Sequence, residues 1–193
     1  MTAPTRDRIV DAASDLLRLQ GLHATGVKQI VGHADAQLAS LYHFFPGGKE
    51  ELADTVIRQA GAGYQELVTA VWDAEADVVA SVRAIFAGAA AVLEATGYED
   101  ACPIATVALE VASTNETLRV ATADVFAAWN EAATSRLEAA GLTPAAARRL
   151  AFAIVAALEG GFVLARAARS PEPMLAAGDV MTSAVAAELP SAR

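Results

Sequence analysis

A single cysteine, Cys102, leaves this 193-residue chain without an internal disulfide. Its three histidines, His23, His33 and His43, stand at no metal-ligand spacing, so neither a metal nor another cofactor is expected. Long uncharged apolar runs are missing too: residues 84–93 and 151–158 stop at Glu94 and Glu159, short of the roughly 18 residues a membrane span needs. The opening MTAPTRDRIVDAA carries charge where a secretory leader has its apolar core. These absences predict a soluble cytoplasmic protein with no membrane partner. Catalytic signatures are lacking as well, with no H-E-x-x-H, no G-x-S-x-G and no paired E-x-x-H. Gly47-Gly48-Lys49 imitates a phosphate loop, but His43 stands where the earlier glycine belongs and Glu50 where a hydroxyl belongs. Glu99-Asp100 has no histidine nearby and reads as a solvated helix end. No catalytic residue, and no enzyme, is expected.

Positive charge is scarce, with 14 Lys and Arg against 23 Asp and Glu. The deficit is uneven. Residues 1–49 hold Arg6, Arg8, Arg18, Lys28 and Lys49 against Asp7, Asp11, Asp15 and Asp35, a net of about +1, so the acidity lies in the remaining body. Aromatic residues make up only 6% of a chain that is 54% hydrophobic, leaving the apolar mass to Ala, Val and Leu, which favour helices.

Periodicity then divides the chain. Ile9, Ala13, Leu16 and Leu17 share a face over residues 5–20, with Thr5 as a cap and Gly21 as a stop. Thr25 is a possible cap for a short helix carrying Val27, Ile30, Val31 and Ala34. A third helix starts near Gln37 and places Leu38, Leu41 and Phe45 together. Further helices are predicted from Lys49 to about Trp72 and over 77–96, 103–113, 115–140, 144–167 and 173–188, punctuated by Gly97, Asn115, Gly141, Pro144 and Pro171. No alternating strand pattern competes, so the expected fold class is all-α. Two short helices following so closely should cross steeply, as in a helix-turn-helix. That crossing turns Gln37, Ser40, His43 and Phe44 outward, with Tyr42 at the flank and Phe45 inside.

Here the residues match a known pattern. The segment TGVKQIVGHADAQLASLYHFFPGGKEEL, residues 25–52, resembles the DNA-binding region of the TetR family of transcriptional regulators: T-x-x-x-x-I on the second helix, S-L-Y-H-x-F on the third, K-E-E-L opening the fourth. PGGKEEL, with Cys102-Pro103-Ile104-Ala105 and Ala108-Leu109-Glu110, is similar to the LmrA/YxaF subgroup. The resemblance implies a homodimer whose subunits each carry an N-terminal helix-turn-helix reader, residues 1–48, and a larger effector-binding and dimerisation domain, residues 49–193, entered through a connecting helix at 49–72. Its partners would be double-stranded DNA and a small, often hydrophobic effector. Carried over by position, Thr25, Lys28 and Lys49 would meet phosphates, and Gln37, Leu38, Ser40, Tyr42 and His43 would meet the DNA from the third helix. Hydroxyl and lysine groups at helix N-termini suit phosphate, and a short helix fits the major groove.

Asp35-Ala36-Gln37, Leu38 and Ala39 depart from the residues common at those positions in the family. Asp35 repels phosphate, and Leu38 offers only apolar contact, for example to a thymine methyl. With the acidic total, they keep open an alternative: an all-helical small-molecule binder that has kept the fold without reading DNA.

In the body, large rings amid alanine can prop helices apart. Trp72, Phe86, Phe126, Trp129 and Phe162, with Cys102, are the candidate pocket lining. Core packing is the competing reading for each ring, as it is for Cys102 against a redox thiol. The run 145–168 carries Leu150, Ile154, Leu158, Gly161 and Leu164 and is apolar on every side. With Val185 on the last helix, these are the candidate dimer interface.

Overall fold

The computed structural model describes residues 3–190, and within them the regular elements are nine helices: α1 Thr5–Ala24, α2 Val27–His33, α3 Leu38–Phe44, α4 Gly48–Ala74, α5 Val78–Ala95, α6 Pro103–Val111, α7 Glu116–Ala139, α8 Pro144–Ala168 and α9 Glu172–Glu188. They form two compact units, one of residues up to Gly63 together with Ala101–Val125, the other of Tyr64–Asp100 and the residues from Phe126 onward. α4 and α7 contribute to both.

In the first unit α1 buries Ile9, Val10, Ala12, Ala13, Leu16 and Leu17, the apolar stripe of its 3.6-residue period. Pro4 occupies the cap position with no side-chain bond, so Thr5 does not cap this helix. Gly21 breaks the helical path at φ 80°, ψ 177°, a conformation that glycine adopts without a steric penalty, and one further turn follows. α2 packs Ile30 and Val31 inward. The turn to α3 passes through Asp35 at φ 46° and is fastened by Arg8, whose guanidinium donates to the carbonyls of Ala34 (3.0 Å), Asp35 (3.0 Å) and Ala3 (2.9 Å). One basic residue of the first helix is thereby committed to holding the turn. α6 packs against α1, and the first turns of α7 pack against α4, where Gly61 admits Val125 so closely that a Cβ would stand 2.6 Å from its methyls. This compact unit therefore reaches well beyond the reader segment 1–48, because α6 and the start of α7 bury their apolar faces on it.

The second unit is built around α9, which packs against both α5 and α8. Asp77 starts α5 by accepting from the Val79 and Ala80 amides at 2.9 Å, and Thr143 starts α8 by accepting from Ala146 at 3.3 Å. α9 comes close at two glycines: a Cβ on Gly161 would lie 2.8 Å from Met174 Sδ, and one on Gly178 would lie 2.6 Å from Phe86 Cβ. The core they permit includes Val82, Phe86, Leu93, Leu137, Leu150, Ile154, Met174 and Val185.

That core corrects two expectations. Leu150, Ile154, Gly161 and Val185 are buried inside their own unit, so they are not a surface left for a second chain. Leu158 is partly buried against the same core, and Leu164 is 60% exposed. α8 instead exposes Phe152, Val163 and Leu164, and α9 exposes Leu175 and Val180. Second, 18-residue windows in α5 and α8 have mean hydropathies of 1.7 and 1.8, apolar and long enough to cross a membrane. Counting only uncharged runs had passed over them. Both helices supply core side chains to the second unit, the role such helices commonly have in soluble proteins.

Candidate nucleic-acid interface

α3 is seven residues long and is held by two anchors, Leu41 at 0% and Phe45 at 2% exposure. Arg6 stacks its guanidinium 5.4 Å from the centre of the Phe45 ring, closing that anchor from outside. The opposite side carries Gln37, Tyr42, His43 and Phe44, all exposed, with Ser40 half-buried. His43 and Phe44 meet edge to face at 5.0 Å, so the two rings brace one another. Tyr42 is 49% exposed, and its ring edge lies against Gly48, where a Cβ would come within 3.3 Å. Leu38, expected on the inward face, is 40% exposed. As the first residue of α3, ahead of the turn that Leu41 anchors, it projects away from the core.

Thr25 requires a correction. Its side chain is fully buried, and its hydroxyl donates to the Gly21 carbonyl at 2.6 Å while accepting from Gln20 Nε2 at 3.2 Å. Gly26 holds the cap position of α2. Thr25 therefore closes α1, and its hydroxyl has no open path to a phosphate. Lys28, in the first turn of α2, is exposed.

At the start of α4, Gly48 turns the chain at φ 67°, and Glu51 reaches back to accept from the Gly47 amide at 2.7 Å. Lys49 follows at the helix N-terminus, partly buried. Burial lowers the pKa of its ammonium, and the negative charge of Glu110 acts in the opposite direction. A site that desolvates a cation in this way gains when an anion arrives.

Sequence reasoning missed a cluster beside this face. Glu110 of α6 accepts from both the backbone amide and Nδ1 of His23, each at 2.8 Å, and its Oε1 stands 2.0 Å from where a Cβ on Gly21 would be. Gly21 was legible as a helix stop. That it also forms a notch for a carboxylate nearly ninety positions away carried no local signal.

The candidate pocket residues are scattered. Trp72 and Phe86 belong to the core of the second unit, at 8% and 1% exposure, with Arg136 above the Trp72 ring, so they fill space where the reading expected them to line it. Cys102 is buried in the first unit and caps α6 through its sulfur, which accepts from Ala105 at 3.5 Å. Phe126 and Trp129 are half-buried and meet at 5.6 Å, with Tyr64 edge-on to Trp129 at 6.4 Å, and Phe162 is half-buried against the core.

A three-helix unit whose third helix is anchored from beneath and bare on top is the architecture of a helix-turn-helix DNA reader. Comparison with known proteins agrees. Residues 9–56 match the family of bacterial regulatory proteins of the tetR type, and residues 78–180 match the C-terminal domain of LmrA/YxaF-like transcriptional regulators. YxaF, a helix-turn-helix-type transcriptional regulator of Bacillus subtilis, is 33% identical over 171 residues, covering 89% of this chain and 90% of that one. LmrA of the same organism is 28% identical over 171 residues, covering 89% and 91%. The crystal structure of regulatory protein TetR from Rhodobacter sphaeroides superposes with a TM-score of 0.83 at 19% identity, covering 94% of this chain and 99% of that chain. The chain belongs to the TetR family of transcriptional regulators, in its LmrA/YxaF-like branch. It is a DNA-binding regulator, and its relatives are regulators rather than enzymes.

Proposed function

We propose that this protein is a homodimeric repressor that holds a palindromic operator in the cytoplasm and releases it when a small hydrophobic effector binds the helical body. The functional division falls at the start of α4, with residues 1–48 reading DNA and 49–193 binding the effector and the second subunit. The observation that carries the reading is the bare side of α3, where Gln37, Tyr42 and His43 stand exposed above buried Leu41 and Phe45. Amide and imidazole groups can read base edges in the major groove, while Leu38 suits a thymine methyl. Ser40, Lys28 and Lys49 supply phosphate contacts that fix the register.

The second subunit covers the apolar faces left on α8 and α9, around Phe152, Val163, Leu164, Leu175 and Val180. Isolated apolar residues at a surface are ordinary, but several on two adjacent helices mark a binding surface. The effector contacts Phe126, Trp129 and Phe162, the half-buried rings of the body. α4 contributes to both units, so a tilt of this helix caused by effector alters the separation of the two readers. Coupling of this kind amounts to about 1–3 kcal/mol and acts through unequal effector affinity for the two states.

A binding assay tests the α3 assignment. Gln37→Ala and His43→Ala each cost about 1–3 kcal/mol on the preferred sequence and relax discrimination at particular base pairs. Unchanged preference in both variants would remove α3 as the reader.

A further inference from the structure

The contact between α6 and the end of α1 is built around one carboxylate. Gly21 sits at φ 80° and has no side chain, and the space a Cβ would occupy is filled by Glu110, whose Oε1 lies 2.0 Å from that point. The other oxygen, Oε2, takes two hydrogen bonds from His23, one from its backbone amide and one involving its ring Nδ1, both 2.8 Å. The charge of Glu110 is also felt at Lys49 on α4. Two residues beyond His23, the Thr25 hydroxyl closes the same turn onto Gly21, and α2 begins directly after it. One side chain from α6 thus holds the segment that sets how α2, and with it α3, is presented. A bond to an ionised carboxylate is roughly twice as strong as a neutral one, and the paired geometry tolerates little sliding. The neighbouring Leu109 is 80% exposed, so the hold of α6 at this point depends on Glu110 and not on the residue beside it.

We propose that Glu110 is the positioning residue that couples α6 to the DNA reader, so that occupancy of α3 by DNA and displacement of α6 act on one another through its contact with Gly21 and His23. This rests on the reading of α3 as a DNA reader. Linkage makes the coupling reciprocal, so it is measurable from the DNA side without knowing the effector.

The experiment uses the full chain carrying Leu109→Cys and Cys102→Ser, with an environment-sensitive dye on position 109, titrated with a duplex recovered by selection from random DNA. The serine keeps an oxygen acceptor for the Ala105 amide that Cys102 now caps. With Glu110 in place, dye emission changes with the same midpoint as DNA binding measured by gel shift. In Glu110→Gln, which keeps the shape and loses the charge, DNA still binds but most of the emission change is lost. Gly21→Ala, which expels the carboxylate from its notch, produces the same loss by a different route. Asp124→Asn, which breaks the Arg58 ion pair between α4 and α7 in the same unit, retains the full signal. An undiminished emission change in both Glu110→Gln and Gly21→Ala overturns the proposal, as does DNA binding with no emission change in the Glu110 protein. Failure of that protein to bind any recovered duplex removes the reader assignment first, and the coupling with it.

Discussion

Lys49 is placed where a phosphate would arrive, and burial disfavours its charged form. The sign of the consequence follows. A lysine whose folded-state pKa lies below its unfolded value opposes folding while it is charged, and the opposition fades as pH rises through the lowered value. Lys49→Met therefore leaves stability at pH 7 unchanged or slightly raised, and any gain vanishes at strongly alkaline pH, as thermal melts at the two pH values show. The same substitution weakens DNA binding across all sequences and reduces the salt slope by about 1, one lost phosphate contact. Lys49 and His43 were both legible in the sequence, because residues 42–45 place four rings ahead of Pro46 and two glycines. Thr25 was not. A hydroxyl between two helices can cap the helix that follows or bond the carbonyl four residues back, and sequence does not choose between them. Here the carbonyl of Gly21 won, because the kink leaves it without its helical donor.

Among the elements, α9 shows how little volume separates these helices. Gly178→Ala inserts a methyl 2.6 Å from Phe86 Cβ and 3.0 Å from its Cγ, and overpacking of this kind costs about 1–3 kcal/mol. Gly88→Ala on α5 meets nothing within 4 Å, and it stabilises by roughly 0.4–1 kcal/mol through chain entropy. Urea unfolding of the two variants should move in opposite directions. Helix boundaries were legible to within a few residues because the punctuation is strong: α8 opens at Thr143-Pro144 and ends before Pro171, and α6 opens at Pro103. The buried face of α8 was not legible. Ala, Leu, Ile, Val and Gly occupy nearly all its positions, so no polar stripe marks the outside, and Leu150 and Ile154 could not be told from Val163 and Leu164 until α9 was in place.

For the whole molecule, the same distinction separates folding from assembly. Leu164→Glu puts a charge on the exposed face of α8 and shifts the protein towards monomer in sedimentation, with its melting profile otherwise intact. Ile154→Ala leaves a cavity in the second unit and costs about 2–5 kcal/mol, but leaves the exposed faces of α8 and α9 unaltered. The acidic total, a formal charge of -9, argues against strong non-specific DNA affinity. Specificity must come from paired readers held at a set distance. Two readers on a two-fold axis engage successive major grooves when their recognition helices lie about 34–36 Å apart or at a multiple of that spacing. Selection of bound duplexes from random DNA tests this most directly: the account predicts an inverted repeat with half-site centres one or two helical turns apart, and recovery of unrelated sequences, or of single half-sites bound by monomer, would contradict it.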